Sequence, residues 1–186
     1  MAHFKKGADS TVLHKDDQSM MEHLVSLPKR ILQYHELDDL THMVLHSLSH
    51  NQCFGLKKAT YLVDNPDFDH LKGVASFTKD ECCLHKDDIW EKPECFVPDM
   101  EKALYHHDIK KFLKMSLKKK NVDLHSEQDI KDLGKDLGMD NPSYHCWHTR
   151  HGNHGLLLFE GEKDLDPWHK KLLDNFAALL SMCTHH

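Results

Sequence analysis

Five side chains of metal-ligating type crowd one short stretch: His145, Cys146, His148, His151 and His154. Imidazole nitrogens and a thiolate are donors that zinc takes readily. On a strand, alternation sends Cys146 and His148 to one face and His145 with Trp147 to the other, so the five cannot converge. The set a hairpin allows is His148 with His154 across it and Cys146 as a third ligand. That spacing is not a zinc finger's, and the plainer expectation is that one face lies on the core or a pocket while the other histidines are wet. A second grouping, Cys82-Cys83-Leu84-His85 with Cys95 further on, has the types for a thiol nucleophile beside a base, or for metal ligation. A thiol reacts only where a positive neighbour or a helix end lowers its pKa.

Other catalytic patterns are missing. The adjacent pairs Asp16-Asp17, Asp38-Asp39 and Asp87-Asp88 point about 100° apart on a helix and to opposite faces on a strand, which is poor geometry for shared acid–base work. Neither a phosphate-cradling glycine loop nor a Gly-Xaa-Ser-Xaa-Gly elbow occurs, and the whole chain holds eight glycines. No residue is assigned a catalytic role, and an enzyme is not the expected reading.

The elements that must carry these residues are legible at both ends. Tyr144–Thr149 is aromatic and β-branched, Gly155–Phe159 is a short apolar run, and Gly152-Asn153 between them suits a tight turn. Asp166 followed by Pro167 starts a helix that puts Leu172, Leu173, Phe176, Leu179, Leu180 and Cys183 on one stripe. Near the front, Lys58–Val63 and Leu71–Phe77 read as antiparallel strands around the turn-forming residues 64–70. Before them come two amphipathic helices: Met20, Met21, Leu24, Leu27, Ile31 and Leu32, with a kink expected at Pro28, then Leu37, Leu40, Met43, Val44 and Leu48. A helix is expected over 101–120 with Asp99 as cap, and a short one from Ser126 to a stop at Gly138. Residues 78–98 show no regular period.

At 186 residues the chain is long enough for one domain with a sizeable core, and its 39 % hydrophobic and 29 % charged residues are those of a globular protein. A net charge of −6 argues against a nucleic-acid partner, the run Lys118–Lys120 notwithstanding. No apolar run approaches bilayer length, so a cytoplasmic location is expected, with the six cysteines reduced. The nineteen histidines are scattered, which fits compositional drift better than one metal or haem site, and the cofactor stays open.

The run Gly155-Leu156-Leu157-Leu158-Phe159-Glu160-Gly161-Glu162 leading into the helix from Asp166, together with the first hairpin over 58–77, resembles the GAF family of sensory and ligand-binding domains. The likeness spans roughly 37–180, with a poorly matched middle. It implies an α+β fold: a central antiparallel sheet, N- and C-terminal helices on one face, and helices and loops walling a pocket on the other. On that basis residues 1–16 are a flexible lead-in, 17–35 a connecting and dimerisation helix, and 36–186 the domain. Pocket candidates are Cys82, Cys83, Trp90, Tyr144, Cys146 and His148. The implied function is non-enzymatic: a regulatory module that senses a small molecule, is a homodimer through its terminal helices, and acts on an output domain or partner. The patterns of family members that reduce methionine sulfoxide, attach bilins or bind cyclic nucleotides are absent. Two alternatives stand beside it: a metal- or thiol-dependent redox protein using Cys82, Cys83 and Cys95 or the His145–His154 cluster, and a degenerate module that only dimerises.

Overall fold

The computed structural model describes residues 15–82, 89–100, 102–117, 127–149, 152–161 and 164–183. Among the described residues, five strands form one open antiparallel sheet: β1 (Leu56–Asn65), β2 (His70–Thr78), β3 (Leu113–Lys114), β4 (Ser143–His148) and β5 (His154–Gly161), in the order β3-β2-β1-β5-β4. The helices are α1 (Lys15–Gln33), α2 (Leu40–Ser49), α3 (Lys79–Cys82), α4 (Pro93–Met100), α5 (Leu104–Lys111), α6 (Glu127–Asp136) and α7 (Pro167–Ala177), the last tightening into a 3-10 turn over Ala178–Met182. The class is the expected one, α+β on an antiparallel sheet. The two hairpins join through β1 and β5, in register from Lys58 opposite Glu160 to Asp64 opposite His154. No described helix is long and apolar enough to cross a membrane.

Strand alternation divides the core into two layers. Ala59, Tyr61, Ala75, Phe77, Leu157 and Phe159 face α1, α2, α7 and the 3-10 turn. Leu62, Leu71, Leu156 and Leu158 face Ile109 of α5 and Ile130 and Leu133 of α6. The stripe Met20, Leu24, Leu27 and Ile31 of α1 is buried, each side chain contributing about 1.5–3 kcal/mol of transfer free energy. Every residue of α2 is buried, so its polar side chains need internal partners: Ser47 accepts a hydrogen bond from Trp90 Nε1 at 2.7 Å.

The last helix starts as expected, with Asp166 Oδ1 accepting from the backbone N–H groups of Trp168 at 2.8 Å and His169 at 2.9 Å. At the end of α6, Gly138 has φ +67° while Met139 N–H reaches back to Gly134 O at 2.8 Å, a Schellman stop.

Pro28 lies inside α1. Other expectations are corrected. Residues 101–120 are not one helix: α5 stops at Lys111 because Leu113–Lys114 pair with Leu71–Lys72 at the sheet edge, and ladder bonds replace a further helical turn. The residue before α5 is Ala103, and Asp99 lies within α4. The stretch without period holds α3 and α4. Residues 1–14 of the expected 1–16 lead-in, the lysines Lys118–Lys120 and the cap Ser126 lie outside the described residues, and residues 15 and 16 open α1.

Candidate functional site

β4 is where the chain brings polar chemistry beside open space. The strand closes one edge of the sheet, and α6 from one layer and α7 from the other flank it. Between them lies a cleft of about 480 Å3 lined by Ile130 and Lys131 of α6, Asn141 and Pro142, Ser143, Tyr144 and His145 of β4, Phe159, and Lys170 and Asp174 of α7. A smaller hollow of about 210 Å3 shares Asn141, Ser143, Phe159 and Lys170 with it. Two local features set its walls. A Cβ on Gly134 would come within 2.3 Å of Pro142 Cγ, so the missing side chain lets α6 sit directly on the entry to β4. The Asp166 cap and Pro167 set the first turn of α7, three residues before Lys170.

His145 is the hinge of the arrangement. Its Nδ1 lies 2.9 Å from Asp174 Oδ1, a contact that joins β4 to α7. The same ring stacks on Trp147 at 5.5 Å, and Trp147 stacks on Tyr61 at 5.6 Å with the planes 8° apart. Trp147 Nε1 donates to Ser181 Oγ at 2.6 Å, in the terminal 3-10 turn. A Cβ on Gly155 would meet the Trp147 ring at 2.4 Å, so glycine is what lets the indole lie flat over β5. The cleft is therefore tied to the terminal helical segment twice, through Asp174 and through Ser181.

Of the pocket candidates among the described residues, only Tyr144 lines this cleft. Cys146 and His148 share its face of the sheet, and His145 with Trp147 the other, as alternation required. His148 and His154 do meet, with ring centroids 4.6 Å apart. Cys146 is half-buried, and burial first and the charge of Asp64 second hold its thiol above the ordinary cysteine value, so it is a poor thiolate at neutral pH. Trp90 belongs to the opposite layer, buried against α2. Cys95 is exposed on α4; the side chain of Cys82, all of Cys83 and His151 lie outside the described residues. Among the described residues no three His, Cys, Asp or Glu side chains are gathered so as to hold a metal ion. Between the sheet and the middle helices, the described residues Ile109, Ile130 and Leu137 pack together, and Tyr105 OH reaches Thr60 Oγ1 at 2.7 Å and Leu137 O at 3.1 Å.

Sequence reasoning missed two features. Lys170 and Asp174 are spaced i, i+4 on the polar side of α7, a pattern that also marks an ordinary wet face. The other is a buried histidine group. His42 of α2 and His106 of α5 have ring centroids 4.0 Å apart, and His46 packs edge-on against Phe77 and Phe96. Burial, then neighbouring cationic groups, holds His42 well below its ordinary pKa and brings His106 down to about 4. Both are neutral near pH 7, which leaves Asp39 to pair with Lys110 at 3.6 Å. Compared with protein-family models, curated proteins and solved structures, the chain matches none of them.

Proposed function

We infer that this chain is a non-enzymatic regulatory domain of GAF-like design that binds a small molecule in the cleft between α6, β4 and α7 and passes its ligand state to a partner through the terminal helices. One observation carries the reading: the cleft's polar groups are held by the terminal segment itself. Asp174 of α7 grips His145, and Ser181 of the 3-10 turn grips the Trp147 ring on which His145 stacks. A ligand that bonds to His145 or Asp174 competes with that grip, so its binding free energy acts directly on α7. From α7 a route leads on to α1, because His169 Nε2 lies 3.8 Å from Asp17 Oδ1 near the start of α1. The outer side of α1 leaves Val25 and Leu32 largely exposed, which suits a homodimer contact in which two such helices slip between discrete packings.

The test is mass spectrometry of whatever the natively purified protein releases on denaturation, followed by titration of the recovered compound while amide exchange of 167–182 is followed. Binding should be stoichiometric and should change protection of that segment. A compound that binds but leaves 167–182 unchanged defeats the relay, and a protein that carries and binds nothing defeats the sensor.

A further inference from the structure

The cleft follows a strand edge, and its two edges are treated differently by the sequence. β3, at one end of the sheet, is two residues long and one of them is Lys114, a guarded edge. β4, at the other end, has six residues, Ser-Tyr-His-Cys-Trp-His, with no proline, lysine or carboxylate among them. Among the described residues it pairs with β5 alone. Thr149 N–H bonds to Asn153 O at 2.9 Å beyond the pair His148–His154, which sets the phase of the ladder. Residues 143, 145 and 147 turn their backbone groups to β5, and Tyr144, Cys146 and His148 turn theirs outward. Outward-turned amides on an unguarded strand are a template for another strand. Of these three, Tyr144 lies in the cleft walled by α6 and α7, rather than on a flat rim.

We propose that the ligand of this cleft is a short extended peptide with a free carboxylate, which adds to the outer edge of β4 as a further antiparallel or parallel strand. This rests on the cleft being the binding site and names the class of molecule it takes. Three residues of β4 line the cleft, Ser143 to His145, a length of about 10 Å that accommodates some three or four peptide residues. The backbone N–H and C=O of Tyr144 match the amides of such a chain. Lys170 on the α7 wall supplies positive charge, while the carboxylate of Asp174 is engaged by His145. The balance favours an anionic end group.

The probe is a tetrapeptide library with free C-terminal carboxylates, titrated against the full chain. The best binder is then remade with each amide N-methylated in turn, and with its carboxylate amidated. Strand addition predicts an alternating pattern: methylation at amides that face β4 weakens binding about tenfold or more, and at the others leaves it within about twofold. Amidation and Lys170→Ala each weaken it several-fold, and the bound peptide protects the Tyr144 and Cys146 amides from exchange. Tyr144→Pro removes an N–H that β5 does not use, as edge strands tolerate, and should abolish binding; the N-methyl series on the unaltered protein decides the matter should that variant fold poorly. Uniform tolerance of N-methylation overturns the proposal. So does protection of β4 that appears without peptide and rises with protein concentration, which would mean that a second copy occupies the edge. If no tetrapeptide binds but a non-peptide compound recovered from the protein does, the peptide is wrong and the sensor stands. If neither binds, both fall.

Discussion

A histidine placed where water cannot reach it is a stability statement. His106 carries its proton only below about pH 4 when folded, against an ordinary 6.5, so the unfolded chain binds more protons across that window. The stabilisation is complete above about pH 6.5 and is lost as pH falls toward 4, on the order of 2–3 kcal/mol for this residue, with His42 adding in the same direction. Urea midpoints at pH 7.5 and 4.5 should therefore differ widely. His106→Leu should narrow the difference; an unchanged pH dependence would show that His106 is not what titrates. The same scale holds the pair His145–Asp174. It is partly exposed, so Asp174→Asn should cost only about 0.5–1 kcal/mol of stability. Its larger effect should be on exchange: amides of α7 open faster, and binding of any cleft ligand no longer alters them. The meeting of His148 with His154 was legible from hairpin register alone, because a period of two and a short turn leave little else. Asp174 was not, since nothing in its neighbourhood of sequence says which strand its helix will lie beside.

At the scale of elements, two glycines mark where backbone and ring must come close. A Cβ on Gly73 would stand 2.0 Å from Ile109 O, so α5 rests on β2 without room for a methyl group. Gly73→Ala should cost about 2–3 kcal/mol, as overpacking against backbone does, whereas Gly152→Ala, at φ +73° in open space, should cost about 1 kcal/mol. Gly155→Ala should push the Trp147 ring off Tyr61 and away from Ser181, shifting tryptophan emission and loosening the last turn. Chemical denaturation with fluorescence separates the three; equal losses would contradict the close approaches. Local signals served the elements well where a cap or a hairpin turn set them, as at Asp166, Gly138 and the two hairpins. They failed over 101–120, where apolar residues at helical spacing are outweighed by pairing with β2, a partner forty residues away in sequence.

For the whole molecule, two layers on one sheet leave α1 with an inner face that is buried and an outer one on which Val25 is 66 % and Leu32 70 % exposed. If that outer face joins two copies, Val25→Asp with Leu32→Asp should give a monomer of unaltered fold in sedimentation and circular dichroism; a wild-type chain that is already monomeric at high concentration would dispose of the dimer. The amino-acid sequence by itself determined the class of fold, because period-two and period-3.6 patterns, caps and turn glycines are written locally and need no partner to be read. It also determined which histidines and cysteines share a strand face. Only the tertiary structure decided that α5 and α6 pack on one face of the sheet, that β4 pairs with β5 alone among the described residues, and that Asp174 and Lys170 of a distant helix come to wall it. The physical reason is that burial and electrostatic pairing depend on distance in space, and the choice among amphipathic faces is settled only when all of them compete for one sheet.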